Sequence, residues 1–213
     1  GEANVALVIA NVSFTEGDDQ RYSVPVMRIS RDLAETGDRS TSPATIAQLD
    51  DGALLIDAMS DARGAAVLFG AALRKRSRPS RHGELRGHPR RGRIAYLTDD
   101  PRRVNVLGVE QSNSSAIIDG QLIAKLVRRL EAGTNPDVDL PVHLLATGFN
   151  RVPGVAATLD IGLAGEPAPA HVVVVHDAVA HESDLWVKML DELGMAIDDV
   201  LTSDDHRNDH VST

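Results

Sequence analysis

Hydrophobic and polar positions alternate with a period of two over several parts of the chain, and that alternation is the first signal of its structure. "NVALVIANVSF" (4–14) is rich in Val and Ile and reads as a strand. "TEGDDQ" follows as a turn cluster, and "RYSVPVMRI" (21–29) is its return strand. Pro25 confines that strand to an edge or to an irregularity, because proline cannot donate to a ladder. Residues 30–50 are polar, with weak periodicity. Over 50–76 the period changes: Leu54, Leu55, Ala58, Met59 and Ala62 recur at spacings of three and four, which predicts a helix. Gly64 and Gly70 each cost about 1 kcal/mol against Ala, so a break is expected near 62–65. Residues 93–100 and 103–110 read as strands, and "SSAIIDGQLIAKLVRR" as a hairpin turning at Asp119–Gly120. A helix is expected from Asn135, strands at 154–163 and 171–175, and a helix over 182–194 ended by Gly194. The tail "TSDDHRNDHVST" has no core-forming residues and is expected to be disordered or cut short. The order from residue 93 onward gives an α+β class, an antiparallel sheet with one helix against it.

Composition narrows the function classes. Aromatic residues make up only 3% of the 213, so the core must be aliphatic and alanine-rich. The net charge of −9 argues against nucleic acid as the main partner. Against that stands "RKRSRPSRHGELRGHPRRGR" (74–93), with nine Arg or Lys and one acid. Having no aromatic to stack on bases, it reads as a solvated, mobile loop rather than a nucleic-acid patch. With no cysteine, disulfides and thiolate metal sites are excluded. The apolar runs "VALVIA" and "VVVV" fall far short of the ~20 residues of a membrane span. The N-terminus lacks the basic and apolar regions of a signal peptide, so a cytoplasmic location is the default. The chain enters a strand almost at once, without a Met, and an upstream segment is expected to be missing.

Chemistry concentrates between residues 108 and 140. In "QLIAKLVRR", Leu122, Ala124 and Leu126 share one face, and Ile123, Lys125 and Val127 the other. A lysine among apolar neighbours can simply snorkel to water. Yet "EQSNSS" (110–115) precedes it, and small hydroxyl and amide side chains let a backbone approach a phosphate, which Lys125 would meet as a point charge. In "TNPDVDL", Asn135 suits the N-cap and Pro136 the first helical position. Asp137 and Asp139 then sit in the first turn, where the helix dipole favours them. One of these carboxylates can orient Lys125, and plain capping suffices to explain Asp137.

The uninterrupted run "EQSNSSAIIDGQLIAKLVRRLEAGTNPDVDL" resembles the actinobacterial maltokinases and their relatives in the aminoglycoside-phosphotransferase-like and protein-kinase-like superfamily. Two further stretches agree. "VALVIANVSFTEGDDQRYSVPV" (5–26) is similar to the family's β-rich cap, and "VVVVHDAVAHESDLWVKMLDELG" (172–194), with Asp184 and Trp186, to its linker between lobes. The resemblance implies a cap over 1–92, a kinase N-lobe over 93–178, and a linker helix and tail over 179–213, with the C-lobe absent. It implies that Glu110 to Ser115, including Gln111, Ser112, Asn113 and Ser114, lie over ATP phosphates. Lys125 would contact those phosphates, Asp139 would pair with Lys125, and backbone groups from Val174 through His176 to Ala178 would hold the adenine. Three positions depart from the family. Asp139 stands where Glu is usual, Pro141 falls within the first turns of the helix, and His176–Asp177 replaces a Gln–Glu pair.

The activity so implied is ATP- and Mg²⁺-dependent phosphorylation of a small sugar, maltose to maltose 1-phosphate. Glucosamine to glucosamine 6-phosphate is the alternative. No catalytic or metal-binding residue is assigned within these residues, and the segment by itself is expected to be inactive. A non-catalytic binding module is the reading from a different class.

Overall fold

The computed structural model describes residues 4–30, 44–81, 83–90, 103–110, 113–180 and 185–208, with 108–110 and 202–208 described in backbone only. The chain divides into two units, Gly1–Ala178 and Val179–Thr213. The first is α+β, built from two antiparallel sheets and two helices among its described residues.

The smaller sheet begins with the expected hairpin, β1 (Val5–Val12) and β2 (Gln20–Ile29), paired from Val5↔Met27 to Val12↔Gln20. β3 (Thr45–Gln48) and β4 (Leu54–Asp57) complete the order β1–β2–β4–β3. Pro25 therefore lies in a central strand. It is tolerated because Ser23 sends its N–H away from β1, to Arg128 O at 2.7 Å. Two residues on, the donor that Pro25 lacks would point the same way. That is beyond the short strand paired at Arg21 and Tyr22, and before the β4 pairing begins at Val26.

The helix expected over 50–76 is half strand. Asp51 and Gly52 (φ 79°) form a turn, and Leu54–Asp57 then runs with Leu54 and Ile56 buried and Leu55 and Asp57 half-buried. Four residues are too few to separate the two periods, and pairing with β2 and β3 decides the outcome. Asp57 accepts from Met59 N across a 3-10 turn, and Asp61 then caps α1 (Ala62–Leu73) by accepting from Arg63 N at 2.9 Å.

The basic run is likewise no loop. Over its described residues it forms a hairpin, β5 (Ser77–Ser80) and β6 (Gly83–Pro89), which joins the larger sheet through β6. Arg78, Arg81 and Arg86 are exposed, so the charges are solvated on an ordered hairpin. Gly87 sits where the C-terminal end of α1 crosses this strand. A β-carbon there would collide with the carbonyl oxygens of Ala71 and Arg74.

The larger sheet runs β5–β6–β11–β12–β9–β8–β7. Its remaining strands are β7 (Val104–Glu110), β8 (Asn113–Ile118), β9 (Leu122–Val127), β11 (Val155–Ile161) and β12 (Ala170–Asp177). It thus draws strands from both sides of residue 92. Asp119 (φ 50°) and Gly120 (φ 71°) turn β8 into β9 with both central residues in the left-handed region, as a tight I′ hairpin requires. On one face, Leu68, Phe69 and Leu73 of α1 pack in a cluster with Ile118, Leu126, Leu159 and Val173. On the other, Val138 of α2 (Pro136–Ala146) packs with Val155 and Val174. Pro141 lies inside α2, and the helix continues past it to Ala146. The strand expected at 93–100 falls in residues outside the described set.

β10 (Arg129–Leu130) leaves the larger sheet and pairs with β2 of the smaller one. Arg128 sits at this crossing. Its guanidinium reaches Asp57 Oδ2 at 2.7 Å and donates from Nη2 to the wholly buried Ser114 Oγ at 2.8 Å.

The second unit contains α3 (Leu185–Asn208), with Lys188 and Glu192 paired at 3.4 Å across one turn. Gly194 was expected to end this helix, and the tail to be unstructured. The helix instead runs through Gly194 and into the tail as far as Asn208, because one internal glycine costs only about 1 kcal/mol against 24 helical residues; the rest of the tail lies outside the described residues.

Replacing Arg128 by Leu is expected to destabilise the protein by roughly 2–4 kcal/mol, since Asp57 and Ser114 would keep their burial and lose their partner. Replacing Arg129, whose pair with Glu131 is exposed, is expected to cost less than about 0.5 kcal/mol. Urea denaturation of the two variants measures both, and equal midpoints would contradict this account of the crossing.

Candidate functional site

β9 places Lys125 in the middle of the larger sheet, directly opposite Ser115 of β8 and Val174 of β12. All three lie on the face covered by α2. The lysine stem is packed, and its ammonium reaches Asp137 Oδ2 at 2.8 Å. Their side chains remain 29% and 45% exposed, so the pair adds at most about 1 kcal/mol to stability. It fixes where a positive charge stands.

Helix capping sets the position of Asp137. Asn135 Oδ1 accepts from Asp137 N, and Asp139 Oδ2 accepts in return from Asn135 N, each at 3.0 Å. The reciprocal pair resembles a capping box drawn one residue longer. The two aspartates thus exchange the parts expected of them: Asp139 closes the cap, and Asp137 holds Lys125. Val138 faces the sheet, and residues on either side of it project about 100° to opposite flanks. The helical period gives both aspartates an equal claim, and only the location of β9 decides between them.

The other expected site residues separate. Gln111 and Ser112 lie outside the described residues. Ser114 points to the opposite face of the sheet, where its hydroxyl accepts from Arg128 Nε and Nη2. Asn113 pairs with Val127 and lines a cavity beside the start of α2. Val174 is an interior strand residue, paired with Lys125 on one side and Thr158 on the other. His176 is paired likewise with Ile123 and Val155. Beyond them, Asp177 N donates to Gly154 O at 2.9 Å and Ala178 N to Gln121 O at 2.8 Å. The amides of Asp177 and Ala178 are therefore already engaged, and Val174 and His176 are paired along both edges.

His176 shares the face of Lys125. Its Nδ1 is buried and makes no hydrogen bond among the described residues. Burial holds the imidazole below its ordinary pKa of 6.5, Asp137 opposes that shift, and Lys125 adds to it. The site is therefore a cation, a carboxylate and a neutral-leaning histidine beside a serine. This set can hold an oxyanion on Lys125. Among the described residues, no group of three His, Asp or Glu could hold a metal ion, and no helix is long and apolar enough to cross a membrane.

No protein-family model matches the chain. Solved structures similar to it at low TM-score include three of glucosamine kinase. One is a glucosamine kinase (crystal form A), with TM-score 0.42, 16% identity, and coverage of 82% of this chain and 35% of that one. A glucosamine kinase in complex with glucosamine, ADP and inorganic phosphate gives 0.43 and 16%, covering 86% and 37%. Crystal form B of a glucosamine kinase gives 0.42 and 18%, covering 85% and 36%. The chain spans just over a third of the length of these structures.

His176 makes stability depend on pH. Its native pKa is depressed, so the unfolded state binds the proton more readily below pH 6.5. Its contribution is fully present above that value and is lost as pH falls through the native pKa. Denaturation midpoints of the wild type are expected to decline with falling pH more steeply than those of His176→Leu. Parallel pH profiles would show that the histidine is not held neutral.

Proposed function

We propose that this chain carries the nucleotide-binding part of an ATP-dependent sugar kinase, with Lys125 as the residue that meets the phosphates. The observation that carries this reading is the Lys125–Asp137 pair, which joins a strand in the middle of a sheet to the first turn of the helix packed on it. A strand lysine held by a helix carboxylate is the arrangement that protein kinases need in place for phosphoryl transfer. Ser115 alongside Lys125 adds a hydroxyl, and the run from Glu110 to Asp139 supplies the resemblance to maltokinases.

These residues fit a nucleotide triphosphate in charge and in donor type, since the lysine ammonium is a compact cation with three donors. When bound, ATP supplies the phosphoryl group to be transferred. This chain's part is to hold the phosphates: Asp137 keeps the ammonium aimed, and the neutral tendency of His176 avoids a competing cation. By the resemblance, the carboxylate that would orient the sugar hydroxyl and the acids that would hold Mg²⁺ are expected outside these residues. The described residues alone are expected to bind nucleotide without turning it over. Maltose is the preferred acceptor and glucosamine the second candidate, both by the resemblance in sequence.

Titration calorimetry with ATP tests the reading. Lys125→Ala is expected to weaken binding about tenfold or more, Asp137→Asn to weaken it less, and Asp139→Asn to lower stability by about 1 kcal/mol with affinity unchanged. ATP consumption with maltose, glucosamine and glucose in the presence of Mg²⁺ then names the acceptor wherever turnover occurs. Equal affinity in the wild type and Lys125→Ala would remove the lysine from the mechanism.

A further inference from the structure

A second polar cluster lies on the same sheet face, away from Lys125. Asp160 of β11 stands directly opposite His171 of β12, and His171 Nδ1 is 2.6 Å from Asp160 Oδ1. On its other side, Asp160 Oδ2 lies 3.5 Å from Nε2 of His88 on β6. The carboxylate and the His171 ring are only 12% and 15% exposed, so this is a built pair rather than a chance surface contact. With Asp160 taking Nδ1–H, the ring orientation is set, and Nε2 makes no hydrogen bond among the described residues. His171 also lines a cavity of about 200 Å³, together with Asn113, Val127, Arg129, Glu131 and Thr134.

We propose that this cavity is a second ligand site, taking a neutral, hydroxyl-rich ligand of about monosaccharide size, with His171 Nε2 bonding one of its hydroxyls. Charge favours this class over an anion. Arg129 and Glu131 pair with each other at 3.2 Å, and Asp160 faces His171, so the walls carry no surplus of positive charge. The start of α2 offers no anion hole either. The amides of Asp137 and Val138 go to Asn135, that of Asn135 goes to Asp139, and Pro136 has none. The lining is a mixture of donors and acceptors (hydroxyl, guanidinium, carboxylate, imidazole), with Val127 as an apolar wall. Vicinal hydroxyls, which both donate and accept, match such a lining. Arg129 and Glu131 also border a larger cleft of about 590 Å³ with Asn11, Gln20 and Glu166, which leaves room for a second sugar unit. This site does not depend on the nucleotide reading, since none of the residues lining the cavity forms a hydrogen bond or ion pair with the Lys125 side chain among the described residues.

The test is an NMR titration of the chain with maltose and, separately, with inorganic phosphate. Maltose is expected to produce saturable shifts at Thr134, Arg129 and the His171 ring nitrogens. His171→Gln is expected to weaken that binding about tenfold and Lys125→Ala to leave it unchanged. Because His171 supports the buried Asp160, the exposed Thr134→Val serves as a second variant and is expected to weaken binding several-fold without a change in stability. The proposal is overturned if maltose causes no saturable shift, if phosphate binds there and maltose does not, or if maltose binding survives both His171→Gln and Thr134→Val.

Discussion

The fold depends on the handover of the chain from one sheet to the other at Arg128. β9 belongs to the seven-stranded sheet and β10 pairs with β2 of the smaller one, with a single residue between them. The backbone and side chain of Arg128 are both engaged. Its carbonyl accepts from Ser23 N, while Ser23 Oγ donates to Val127 O at 2.6 Å. Its guanidinium reaches Asp57 from β4 and Ser114 from β8. Burying Ser23 and Ser114 completely would be costly without partners, and each supplies what the other strands lack. This network fixes the angle at which β8 and β9 leave the crossing, and therefore where Ser115 and Lys125 stand.

The charge at Lys125 is held by a chain of local causes. Asn135 and Asp139 cap the helix, Val138 anchors it to Val155 and Val174, and Asp137 then comes within reach of the ammonium. Little of this contributes to stability, because the pair is half in water. Its value is geometric, since the ammonium is already placed before a phosphate arrives. Pro141 removes one backbone bond beyond the first turn and does not disturb this placement, which depends on residues 135–139.

Features of the sequence with a local cause were legible. The Asp119–Gly120 turn, the Asn135–Pro136 helix start and the β8–β9 alternation each depend on residues within a few positions, and each stands as expected. Features settled by distant partners were not. "LLID" is apolar enough for helix or strand, and β2 and β3 chose strand. The arginines of 74–90 suggested a loop, yet a hairpin can solvate its charges while its backbone extends a sheet at β11. Asp137 and Asp139 were indistinguishable by helical period. Asp160 and His171, 11 residues apart, gave no signal until the register of β11 and β12 set them opposite one another.

The two polar clusters share a cause in the size of α2. A helix about 10 Å wide can cover only part of a strand, and β12 runs about 16 Å from His171 to His176. Val138 lies over the middle of that span, at Val174. Both ends of β12 on this face are left to partly exposed positions, and both hold a histidine. At one end the imidazole lies near Lys125 and Asp137 and is pushed toward neutrality by burial. At the other it is turned by Asp160 toward a cavity. On the opposite face, the 12-residue α1 packs in a continuous apolar cluster, and the polar groups placed there, Ser114 and Arg128, are taken up by each other and by Asp57. Among the described residues, the two clusters proposed to meet ligands therefore share one side of one sheet, by the contrast between a helix packed along an apolar face and a helix that covers only the centre of the other.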